Sequence, residues 1–167
     1  MKTIPLTKGL FAIVDDADYE ALTVYKWHAH EGGKHFYAAR VEYHRVEGRT
    51  KRMRVWMHRA LCLGLTAERP FADHRDGNTL DNRRHNLRPA NKSGNAANRP
   101  KDTMVSSSPH KGVSWDTARN KWHAQIHVDG KSIHIGRFKD ECDAATAYNF
   151  AAEAAFGDFA VGNLPAK

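Results

Sequence analysis

An α+β protein built of two small units is the fold the sequence predicts. Short segments with strand-like alternation outnumber helical patterns, and the strongest helical pattern comes late in the chain. Between them lies a polar stretch, Asn98-Arg-Pro-Lys-Asp-Thr-Met-Val-Ser-Ser-Ser-Pro109, with two prolines, three serines and no periodicity. We therefore expect a first domain over residues 1–100, a linker over 101–109 and a second domain over 110–167. Each is near the lower size limit for a self-supporting core.

In the first part, Phe11-Ala-Ile-Val-Asp reads as a short strand, and Asp15–Tyr25 as a polar or helical turn. Phe36–His44 and Lys51–Met57 follow as strands, their aromatic and branched residues partly alternating with polar ones; Glu47-Gly-Arg suits a hairpin between them. Met57–Gly64 reads as a short helix ended by glycine. Asp76-Gly-Asn78 predicts a tight hairpin, with Asp73-His74 closing one strand and Asn86-Leu-Arg opening the next, which Pro89 ends. A short helix through Lys92–Asn98, stopped before Pro100, completes a strand, strand, helix unit.

In the second part, Gly112–Trp115, Lys121–Val128 and Lys131–Phe138 predict three strands, with Asp129-Gly130 as a strong hairpin signal. Glu141–Phe156 predicts a helix, capped by Asp140 and closed by Gly157. Ala144, Ala145, Tyr148, Ala151, Ala152 and Ala155 share one face, and small side chains let that face lie close against a sheet.

The chain carries 26 Lys+Arg against 19 Asp+Glu, a formal net charge of +7, which favours an anionic partner. Charge alone does not separate nucleic acid from a membrane surface or an acidic polymer. The composition, 41% hydrophobic and 27% charged, excludes a disordered chain. Cys62 and Cys142 are expected to be free, buried thiols in a reducing compartment. No apolar run approaches a membrane span, and Met-Lys-Thr-Ile-Pro does not read as a signal peptide. The expectation is a cytoplasmic protein with no membrane partner.

The segment Phe71–Arg88 carries the sharpest chemical signal. A strand carboxylate, Asp73, and a helix amide, Asn95, can converge on one hard divalent cation, Mg²⁺ or Mn²⁺. His74 projects from the other side of its strand, where an imidazole can take a proton from water. His58 and Arg59 are open between a phosphate contact and a structural role. So is the basic hairpin Arg45–Arg54, with Arg49, Lys51, Arg52 and Arg54, between a DNA surface and a solvated face. His85 is expected in solvent.

Asp-His, then Asn-Leu, then a helix with Asn-x-x-Asn-Arg resembles the HNH (ββα-metal) nucleases, especially those of phage and homing type. Lys8-Gly-Leu-Phe-Ala-Ile-Val-Asp-Asp and Trp56-Met-His-Arg-Ala-Leu are similar to segments that precede the motif there. The resemblance implies His74 as general base, Asp73 and Asn95 as metal ligands and Asn86 as a brace of the loop. Asparagine at 95, where many relatives have histidine, favours Mg²⁺ over a zinc-like site.

Lys111-Gly-Val-Ser-Trp, Lys121-Trp-His-Ala-Gln-Ile, Ile135-Gly-Arg-Phe and Asp143-Ala-Ala-Thr-Ala-Tyr-Asn-Phe-Ala-Ala resemble the Apetala-type domain of plant ethylene-response factors, through Gly157-Asp-Phe-Ala-Val-Gly-Asn163. That resemblance implies a three-stranded antiparallel sheet, backed by one helix, entering the DNA major groove. Lys111, Ser114, Trp122, Gln125, His127 and His134 are the implied DNA contacts, with Arg119 and Lys121 on phosphates. Ser114, His127 and His134 stand where plant relatives often have Arg, Arg and Trp, so their base preference does not transfer. Trp115 and Phe138 are read as core.

Together these readings describe a DNA endonuclease acting on double-stranded DNA as a monomer or weak dimer: cutter first, reader second. The alternative is a sequence-specific DNA-binding regulator that does not cut. An RNA-directed nuclease lacks any RNA-stacking motif in its favour.

Overall fold

The computed structural model describes residues 1–99, 101 and 106–163. Pro100, the expected helix stop, and residues 102–105 of the expected linker lie outside the described residues. The fold is α+β, with four small antiparallel sheets and few helices among the described residues. Two compact units divide the chain, Met1–Ala90 and Asn91–Lys167.

In the first unit, β1 (Lys2–Pro5) pairs with β2 (Phe11–Val14), and α1 (Asp16–Thr23) follows. Trp27 covers the end of α1, its indole N–H donating to Leu22 O at 2.8 Å. Next comes a three-stranded sheet of β3 (His28–Gly32), β4 (His35–Val46) and β5 (Arg49–Trp56). Glu47 and Gly48 both take positive φ, 50° and 75°, so a two-residue turn joins β4 to β5. α2 (Met57–Leu61) leads to β6 (Phe71–His74), which pairs with β7 (Leu87–Ala90). The core gathers Ile4, Val14, Leu22, Trp27, Met57, Leu61 and Leu87.

Two expectations about the β6–β7 pair are corrected. The connection is not a tight hairpin: it runs from Arg75 to Asn86. Asp76-Gly-Asn78 makes only its first turn, with Gly77 at φ 76° and the Asp76 and Asn78 side chains accepting from the N–H groups of Asn78 and Leu80. Pro89 does not end the strand but sits inside it, opposite Ala72. A two-stranded sheet has only edge strands, where proline removes no ladder bond that matters.

In the second unit, α3 (Lys92–Ala97) starts at Asn91, whose side chain accepts from Gly94 N–H. Three antiparallel strands follow, β8 (Val113–Asp116), β9 (Lys121–Val128) and β10 (Lys131–Phe138), in the order β10-β9-β8. α4 (Glu141–Phe156) packs on the sheet, with the Asp140 carboxylate accepting from Cys142 and Asp143 N–H. Ala144, Ala145, Tyr148 and Ala152 are buried against Val113, Ala124 and Ile126, as the alanine stripe requires. Ala155 is exposed, and Cys142 is exposed in the first turn. Neither is buried as expected; Cys62 is.

Asn163 ties the end of this unit to its start. It accepts from Lys111 N–H, donates to Lys111 O at 3.0 Å and exchanges bonds with Asn149 on α4. Gly112 permits that approach: its φ is +73°, and a Cβ there would stand 2.1 Å from the Tyr148 ring. Gly112→Ala should therefore destabilise the protein by about 2–5 kcal/mol, from left-handed backbone strain plus overpacking. Urea unfolding followed by tryptophan fluorescence measures it, and a loss under about 1 kcal/mol would contradict the packing described.

Candidate functional site

β6 places Asp73 and His74 side by side at the end of a short strand, and both are buried. Asp73 faces Arg88 across the strand pair, and Arg88 Nε donates to Asp73 Oδ2 at 2.8 Å. Both partners are almost inaccessible, so the pair is a buried salt bridge, and removing either partner would leave the other charge buried alone.

His74 sits in a cluster of rings assembled from five elements of the first unit. Its ring centroid lies 5.2 Å from His58 on α2 and 6.4 Å from Tyr37 on β4. Trp56, at the end of β5, touches Tyr37 and His58, and His30 on β3 touches Trp56. Burial holds the His74 imidazole below its ordinary value, against the opposing influence of an Asn82 hydrogen bond and the Asp73, Asp76 and Asp81 carboxylates. Burial pushes His58 down to about 3, with His74 and Arg59 acting in the same direction. Both rings are therefore neutral near pH 7, and a neutral imidazole is the form that accepts a proton.

The Arg75–Asn86 connection is held from within by Asn86. Its Nδ2 donates to Asp76 Oδ1 and to Asp81 O, both at 2.9 Å, and its Oδ1 accepts from Asp76 N–H at 3.1 Å. The connection is also tied outward. Ile13 N–H donates to Leu80 O and Asn82 N–H to Ile13 O, both at 2.8 Å. Arg84 grips the buried carboxylate of Asp18 on α1 through two bonds, at 2.8 and 2.6 Å. His85 is exposed, as expected.

The structure brings Asp73, His74, Asn86 and His58 together. Asn95 is half-buried on α3, which belongs to the second unit. α3 is anchored there, with Gly94 against Phe159 and the Lys111 ammonium donating to the carbonyls of Ala97 and Arg99. Among the described residues, no group of three or more His, Cys, Asp and Glu side chains is arranged to hold a metal ion. Arg59 is exposed and donates to Pro70 O, while Arg52 and Arg54 project from β5, Arg54 over the Trp56 ring.

In the second unit, strand alternation sorts the implied DNA contacts. Val113, Trp122, Ala124, Ile126 and Phe138 face α4. The opposite face carries Ser114, Lys121, Gln125, His127 and His134. Trp122 lies half-buried on the α4 side, edge-on to its cross-strand partner Trp115. The Lys111 ammonium donates to the carbonyls at the end of α3. Two residues that sequence reasoning passed over belong to the polar face. His123 stacks on His134, with ring nitrogens 2.8 Å apart, and Arg137 bonds Asp116 at 2.9 Å. Their parity with Lys121 and Gln125 was the available signal for His123. Arg119, in the β8–β9 turn, is exposed beside Asp116.

No protein-family model matches the chain. It is similar to an uncharacterised HNH endonuclease of Acanthamoeba polyphaga mimivirus, at 29% identity over 156 residues, which is 93% of this chain and 76% of that protein. That similarity supports an HNH-type nuclease. Among the described residues, no helix is long and apolar enough to cross a membrane.

The buried histidines give stability a defined pH dependence. A histidine whose folded pKa is depressed leaves the unfolded chain holding the extra proton between about pH 3 and 6.5, so stability falls on acidification through that window. One such proton contributes a slope of about 1.4 kcal/mol per pH unit. Chelator-treated His58→Gln should lose stability less steeply than the native chain, by about one proton, when urea midpoints are compared across that range. Parallel slopes would contradict the burial of a neutral His58.

Proposed function

We propose that the chain is a metal-dependent DNA endonuclease of the HNH class, of homing or phage type, that hydrolyses phosphodiester bonds of double-stranded DNA. The carrying observation is His74. It is a buried imidazole held below its ordinary pKa at the end of β6, beside a carboxylate and under a loop braced by Asn86. The similarity to a protein named as an HNH endonuclease supports the same class.

In this reading His74 accepts a proton from water as the water oxygen attacks phosphorus. The bond from phosphorus to the 3′ oxygen breaks, leaving 5′-phosphate and 3′-hydroxyl ends once the 3′ oxygen takes a proton from solvent. Asn86 keeps the loop, and with it the ring, in place. Asp73 and Asn95 offer hard oxygen donors, a carboxylate and an amide, which suit Mg²⁺ or Mn²⁺. When bound, such an ion supplies stabilisation of charge developing on the phosphate. The solvent face of the second unit's sheet, with Ser114, Lys121, Gln125, His127 and His134, is proposed as an Apetala-like DNA reader. One active site per chain cuts one strand per visit, so double-strand cleavage would require a dimer or two successive nicks.

One observation favours a second reading, a DNA-binding regulator that does not cut. Arg88 already engages Asp73, as it would if the pair were purely structural.

Incubating the native protein with a supercoiled plasmid library, in Mg²⁺ and in EDTA, separates the two. Nicked or linear DNA in Mg²⁺ alone is the expected result, with the target recovered by mapping the ends. Retarded but intact DNA in both conditions would favour the regulator.

A further inference from the structure

The register of β3, β4 and β5 sorts their charges by face. Trp56 lies opposite Ala39, Arg54 opposite Val41, Arg52 opposite Tyr43 and Thr50 opposite Arg45, while His28 and His30 align with Ala39 and Tyr37. One face therefore carries His28, His30, Tyr37, Tyr43, Arg45, Arg52, Arg54 and Trp56, and no acidic residue. The other face holds both strand carboxylates, Glu31 and Glu42, each beside a cation: Lys8 for Glu31, Arg40 for Glu42. Among the described residues, no ion pair neutralises Arg45, Arg52 or Arg54, and all three are exposed. The charges of Arg54 and Arg52 act on His28, lowering it alongside the larger effect of burial, which fits their standing on its side of the sheet.

This face is continuous with the candidate site. Trp56 and Tyr37 at its root touch His58, and Tyr37 touches His74. From Trp56 the arginines recede along β5 in steps of two residues, about 7 Å each, so Arg52 stands about 14 Å from Trp56 along the strand. On duplex DNA that is roughly four base pairs of helix axis.

We propose that this face of the β4–β5 hairpin is a phosphate track. It holds one strand of the same duplex whose scissile phosphate lies at His74, through Arg54, Arg52 and Arg45, with no reading of base sequence. The proposal rests on the nuclease reading for the identity of the duplex. Guanidinium groups on a regular strand suit a regular backbone, and bidentate phosphate contacts are what arginine offers. Binders of single strands add a row of stacking aromatics, whereas beyond Trp56 this face has one, Tyr43.

Equal charge changes on opposite faces test the track. Affinity of the full chain for a long mixed-sequence duplex is measured in EDTA as a function of salt for the native protein, for Arg52→Gln/Arg54→Gln and for Arg49→Gln/Lys51→Gln. Each lost phosphate contact lowers the log–log salt slope by about 0.9, so the first pair should lower it by about 2 and the second should leave it near the native value. Adding Arg45→Gln to the first pair should deepen the loss. Unchanged melting temperatures exclude misfolding, since all these positions are exposed. An unchanged slope in the first pair, equal drops in both pairs, or an effect confined to single-stranded RNA would overturn the track. A native protein that never cuts DNA yet shows the face-dependent slope would sink the nuclease reading and leave the track standing.

Discussion

Asn86 is the residue on which the first unit's site depends. The Arg75–Asn86 connection is long for two strands that pair directly, and such a loop carries many backbone groups that must find partners. One buried amide answers two of those demands, at Asp76 N–H and Asp81 O, and also donates to the Asp76 carboxylate. Asparagine suits the position because its side chain donates and accepts at once; aspartate would lack the donors. With the loop fixed to β2 and α1, His74 is left beneath a rigid roof and beside a packed wall of rings.

That wall explains why a histidine ends up neutral and buried in a basic protein. His58, Tyr37 and Trp56 exclude water on one side, and Asp73 is withdrawn into its pair with Arg88 on the other. Desolvation then outweighs the nearby carboxylates, which act in the opposite direction. The sheet face leading to this wall carries Arg54, Arg52 and Arg45, none of them in an ion pair among the described residues.

Much of this was legible in the sequence wherever local chemistry decided the outcome. α4 follows from a cap at Asp140 and an alanine stripe, and the β9–β10 turn from Asp129-Gly130. Two strands escaped notice. Lys2–Pro5 is short and ends in proline, and His28–Gly32 is rich in residues that disfavour strands; both exist because of a partner strand that packing brings beside them. The length of the β6–β7 connection was misjudged because Asp76-Gly-Asn78 marks a turn without saying how soon the next strand begins. Trp122 has the opposite parity to Lys121, Gln125 and His127 and packs on the α4 side, which strand alternation alone makes legible. The anchoring of α3, which carries Asn95, by Lys111 and Phe159 within the second unit rests on contacts that no local pattern announces.

The most direct test of the central claim is the single-turnover cleavage rate of a mapped duplex site in Mg²⁺ near neutral pH, native protein against His74→Ala, both verified as folded. A general base at His74 predicts a rate lower in the variant by a factor of about 10²–10⁴. Cleavage by His74→Ala at the native rate would contradict it.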